Sequence, residues 1–116
     1  MKVMHYTEAK THNIGGSVTT GKIGRVLIGK DDGARNFCMR MFELAQGTTS
    51  PQHSHEWEHE MFIHSGKGEV FCDGSWLPVE TGSAIFIPGN EVHQLRNSSD
   101  KPLVFICLIP SGPPEM

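Results

Sequence analysis

Apolar and polar positions in this chain alternate with a period of two over many short stretches, and no stretch sustains a helical period. In His59-Glu-Met-Phe-Ile-His64, one face carries His59, Met61 and Ile63, and the other Glu60, Phe62 and His64, because successive residues of a strand point to opposite faces. Similar short runs cover 24–29, 36–44, 69–72, 75–79, 83–87, 92–96 and 103–109. Turn chemistry punctuates them: Asp31-Asp-Gly33, Ala-Gln-Gly47, Ser65-Gly66, Asp73-Gly74, Pro88-Gly-Asn90 and the stretch from Asn97 to Pro102. The pair around Asp73-Gly74 reads as a hairpin. The pattern predicts roughly eight to ten strands at the spacing of an all-β sandwich or barrel.

With 116 residues, 13 Gly and 7 Pro, the chain builds one core and not two. Residues 1–23 are polar and Gly-rich and are expected to form an arm, 24–110 the β domain, and 111–116 a loose tail, because the prolines after Ile109 cannot continue a ladder. The formal net charge of -3, with Lys and Arg scattered singly, gives no electrostatic footprint for nucleic acid. No apolar stretch approaches the ~18 residues of a membrane span, and the N-terminal residues lack a signal-peptide core. A cytoplasmic protein is expected. The three cysteines, Cys38, Cys72 and Cys107, have no Cys-x-x-Cys spacing and do not form a disulfide framework. Cys38 and Cys72 are expected to be small buried hydrophobes.

Four of the seven histidines change this picture. His53 and His55 are two apart and project together if extended. His59 rejoins their face after a short bend, and His93 follows a separate turn. Imidazole is the commonest ligand for a divalent transition metal, and the spacing predicts one such ion held by His53, His55, His59 and His93. Four neutral ligands leave the ion its full charge and favour a small anionic or oxygen-rich ligand. By donor softness alone the site admits Zn, Ni, Cu, Fe or Mn. His5 and His12 are expected at the surface, and His64 in a structural or interface role.

The motifs around these residues resemble those of the cupins, β-barrels of the jelly-roll (double-stranded β-helix) type. Gly47, His53, His55, His59 and Gly66 keep the first cupin motif's spacing, with His59 in its Glu position. Glu60 could also fill that position, but the count to Gly66 and the alternation with Met61 and Ile63 favour His59. Gly82, Pro88, His93 and Asn97 keep the spacing of the second motif. The string from His53 to Phe62 is similar to a four-histidine subgroup of small bacterial cupins. That resemblance implies a conserved cupin barrel, manganese (or iron) as the metal, and a homodimer in which residues 24–29 pair with a neighbour's sheet.

Further candidates follow from the strands. Phe105, Cys107 and Ile109 share one face, and if it lines the cavity, Phe105 and Ile109 contact the substrate. Cys107 then sits near the metal as a redox-sensitive thiol or ligand, or merely fills space. Arg40, a charge among Met39 and Met41, needs a partner if buried: a bound carboxylate, or Glu43, Glu60 or Glu69. Trp57 covers the pocket mouth or packs the bend, and Glu58 and Glu60 are placed to orient ligand N–H groups. The leading functional expectation is a metal-dependent oxidoreductase that cleaves a small enolisable or carboxylate substrate in dioxygenase fashion. One alternative is Lewis-acid isomerisation of a sugar acid, as in similar small cupins of uronate catabolism, which tend to carry Gln in place of the fourth His. The other is a non-catalytic ligand-binding barrel.

Overall fold

A computed structural model describes residues 1–15 and 21–116; residues 16–20, part of the expected arm, lie outside the described residues. Among the described residues nine strands are formed: β1 (His12–Asn13), β2 (Lys22–Ile28), β3 (Phe37–Leu44), β4 (His59–Ser65), β5 (Lys67–Cys72), β6 (Ser75–Glu80), β7 (Ala84–Ile87), β8 (His93–Arg96) and β9 (Leu103–Pro110). They make a six-stranded sheet in the order β1-β2-β3-β9-β4-β7 and a three-stranded sheet in the order β6-β5-β8. Every pairing is antiparallel. The fold is all-β, as the alternation predicts.

The two sheets close on one core. Leu44, Ile63, Ile87 and Phe105 from the larger sheet meet Val70, Val79 and Leu95 from the smaller. Strand β4 shows the clearest amphipathicity, with His59, Met61 and Ile63 buried and Glu60, Phe62 and His64 exposed. Asn97 is a buried polar residue with its hydrogen-bonding capacity used: Nδ2 donates to Leu44 O and Lys101 O, and Oδ1 accepts from Ser99 N–H and Oγ–H. It pins the β8–β9 connection to the end of β3, so its place in the second motif is structural.

Both ends of the chain pack against the larger sheet, the C-terminal one in place of the expected loose tail. A smaller apolar cluster of Leu27, Met41 and Val104 lies on the outer face of the larger sheet, and Tyr6 and Ala9 pack over it. Tyr6 lies under the Arg25 guanidinium, 5.6 Å from ring centroid to Cζ, and meets His64 edge-on at 5.7 Å. Residues 111–116 turn back over β2 and β3: Glu115 Oε2 accepts from Lys30 N–H at 2.8 Å, and Glu115 O from Arg40 Nη1 at 3.4 Å. Gly24 makes room for this return, since a Cβ there would lie 2.6 Å from Met116 Sδ. Within its own chain the run 24–29 pairs with β3 along Gly24–Ile28 and with β1 only at Gly24.

Candidate metal centre and chamber

Three pieces of backbone deliver the four histidines. His59 opens β4 on its buried face, and His93 opens β8 of the other sheet. His53 and His55 lie in the irregular stretch before β4 and not in a strand; a single bridge joins His53 to His93 through reciprocal N–H···O=C bonds of 3.2 and 3.0 Å. His55 O accepts from Asn90 N–H at 2.6 Å. Gly89 lets the two loops approach this closely, because a Cβ there would lie 2.3 Å from Glu56 O. The loop carrying two ligands is thereby fastened to the turn before the fourth.

The ring nitrogens are sorted by what they face. The Nδ1 atoms of His53, His55 and His93 lie 3.0, 2.8 and 2.9 Å from the carbonyl oxygens of Pro51, Trp57 and Glu91. A carbonyl oxygen only accepts, so each Nδ1 carries the proton and donates it, leaving Nε2 with a bare lone pair. These lone pairs converge. His53 and His93 hold their Nε2 atoms 3.2 Å apart, and His55 and His59 hold theirs 2.8 Å apart. One nitrogen from each ring falls within 4.8 Å of all the others. Without a cation between them, two such lone pairs repel. Metal–imidazole bonds of about 2.1 Å would place neighbouring ligands about 3 Å apart, so the donor set fits a divalent ion.

Burial disfavours the charged form of three of the ligands. It is the main cause that pushes His59 down to about 3, with His93 and Arg40 adding to it. Burial also lowers His55 and His93. The fourth Nδ1, that of His59, meets a sulfur atom: Cys107 Sγ lies 3.0 Å away. Arg40 Nη2 donates to the same sulfur at 3.2 Å. Burial raises the Cys107 thiol against the pull of Arg40.

The centre forms one wall of a chamber of about 460 Å³. Phe42, Leu44, Met61, Leu95 and Phe105 make much of its apolar lining, and Trp57 stacks on His55 at 4.1 Å with the rings 8° from parallel. Asn13 of β1, with Ile14, Pro114 and Met116, supplies further lining from the two ends of the chain, and no sequence signal marked these residues. Of the other candidates, Arg40, Phe105 and Cys107 line the chamber, while Ile109 packs in the core. Glu58 and Glu60 are exposed, and backbone carbonyls orient the rings in their place. Cys107 stands behind His59 and not in the ligand set.

The family model described as a cupin domain matches residues 40–109. The chain is a cupin. It is 32% identical to the polyketide cyclase RemF from Streptomyces resistomycificus, with a TM-score of 0.88 over 98% of this chain and 82% of that one. KdgF from Halomonas sp. shares the fold, at TM-score 0.79 and 16% identity over 97% of this cupin and 96% of that chain. Among curated proteins it is 30% identical over 71 residues to the 1-methylthio-D-xylulose 5-phosphate methylsulfurylase of Rhodospirillum rubrum, a match taking in 61% of this chain and 46% of that protein. An oxalate-binding protein of Thermotoga maritima is 29% identical over 68 residues, covering 58% of this chain and 56% of that protein. This cupin therefore matches less than two thirds of either protein's own length.

Proposed function

We propose that this cupin is a metal-dependent enzyme acting on an enolisable, ring-bearing polycarbonyl substrate, by activating a carbonyl and its α-proton and not by consuming O2. The observation that carries this reading is the joining of four convergent Nε2 donors to an apolar chamber wide enough for an aromatic body. A hydrophilic sugar acid finds few polar partners on such walls. The extended likeness to a polyketide cyclase supports the same substrate class.

His53, His55, His59 and His93 would hold the ion. A divalent ion bound there supplies Lewis acidity toward a carbonyl oxygen, and with four neutral ligands none of its charge is offset by a carboxylate. The chain's own residues do the rest. Fixed Nδ1–H donation keeps the His53, His55 and His93 rings from turning, Phe42, Phe105 and Leu95 exclude water, and Trp57 lines the chamber beside His55. The dioxygenase reading expected from the sequence differs in its need for O2.

The test uses protein loaded with Mn or Zn and an aryl 1,3-diketone, followed by the enolate absorption band and by an oxygen electrode. The expected result is a metal-dependent enolate band with no O2 uptake, absent in His59→Ala. Stoichiometric O2 consumption would overturn the reading in favour of oxidative cleavage.

A further inference from the structure

Arg40 is the one permanently charged side chain among the described residues lining the chamber, and its surroundings are unusual for a guanidinium. None of the carboxylates that the sequence offers as partners takes it. Glu43 pairs with Arg25, Glu69 pairs with Arg96, and Glu60 is exposed on the outer face of β4. The nearest acidic residue in contact, Glu115, meets Arg40 through its main-chain oxygen at 3.4 Å, while its carboxylate is taken by Lys30 N–H. The other contacts are a thiol sulfur and the face of Phe42, 5.0 Å from Cζ to the ring centroid. Arg40 Nε is buried with no hydrogen-bond partner at all. A guanidinium has five N–H donors in a planar fork suited to a carboxylate, and a half-buried cation without a counter-ion is unfavourable.

We infer that the missing counter-ion is part of the ligand: Arg40 anchors an anionic oxygen, and the chamber takes an apolar, ring-bearing acid. This builds on the proposed function, in which the same ligand also reaches the histidine centre. The two anchors are close. Arg40 Nη2 touches Cys107 Sγ, which in turn touches the His59 ring, so one substituted ring spans the gap. A carboxylate or an acidic enol or phenol oxygen supplies the required chemistry. Arg40 acts as a specificity-determining residue that selects acids over neutral analogues of the same shape.

The test compares 2-naphthoate with 2-naphthalenemethanol, an aromatic acid and its neutral counterpart, by isothermal titration calorimetry at pH 8. Full-length wild type, Arg40→Gln and Arg40→Lys are each measured as purified and again after metal removal by chelator. Wild type is expected to prefer the acid by about tenfold or more, the size of a charge-assisted hydrogen bond. Arg40→Gln should abolish the preference while still binding the alcohol, and Arg40→Lys should retain part of it. Persistence of the preference in metal-free protein separates Arg40 from the ion, so a failure of the metal reading leaves this result standing. Equal affinity for acid and alcohol in wild type, or an unchanged preference in Arg40→Gln, would overturn the proposal. Alcohol binding serves as the check that each variant is folded.

Discussion

At the scale of single residues, the four histidines were legible because metal ligation constrains both residue type and spacing. The choice of His59 over Glu60 followed from the count to Gly66 and from alternation, and His59, Met61 and Ile63 lie buried on one face of β4. What fixes each ring was not legible. The acceptors are the main-chain oxygens of Pro51, Trp57 and Glu91, which every residue possesses and no sequence pattern marks. Arg40 was visible as an anomaly, but its lack of a carboxylate emerges only once Arg25 and Arg96 are seen to occupy Glu43 and Glu69. Cys107 is the exceptional partner, a sulfur where the other three rings have an oxygen. Replacing it with Ala should leave His59 Nδ1 unpartnered and weaken metal binding by about 10- to 100-fold, the usual effect of losing such a partner. Chelator competition would measure this, and Cys107→Ser, which keeps a hydrogen-bonding atom, should recover part of the loss.

Among the elements, strand positions were readable from period two and the intervening turns, whereas the stretch from His53 to Glu58 was not. The sequence reading has His53 and His55 extended before a short bend, and one bridge and the close approach of Gly89 are what hold the stretch. Gly89→Ala should push the two loops apart and lower metal affinity more than it lowers global stability, as titration calorimetry beside thermal melts would show. The smaller sheet offers a pH marker. Arg96 donates to both Glu69 oxygens, at 3.2 and 2.9 Å, while lying 3.9 Å over the Trp76 ring. Those bonds, followed by that of Ser98, hold the Glu69 carboxyl down at about 2. A depressed folded value means that this contribution to stability is present above the ordinary 4.5 and lost as pH falls toward about 2. Carbon NMR titration should find Glu69 at the low value, and Arg96→Ala should return it to the ordinary glutamate range.

For the whole molecule, the consequence of ligand placement is a cross-link. His59 belongs to the six-stranded sheet, His93 to the three-stranded one, and His53 and His55 to the loop between β3 and β4. An ion bound by all four ties the two sheets together in the native state alone. At a free concentration 100 times its Kd, it should stabilise the fold by about 2.7 kcal/mol, or about 10 °C in Tm. Thermal melts with and without metal would measure this. His59→Ala should lose most of the shift. A large shift retained in that variant would place the stabilising ion elsewhere.

The chamber draws its chemistry and its shape from different parts of the chain. Its ligands and deep apolar walls ride on the sheets or on loops fastened to them, while Asn13, Ile14, Pro114 and Met116 close it from the two ends of the chain. Changes at Pro114 and Met116, which lie beyond β9, alter what the chamber admits without touching a ladder of the barrel. A variant library confined to them is therefore a direct route to new ligand preferences on an unchanged metal centre, and the same division allows related proteins to diverge in substrate while keeping their scaffold.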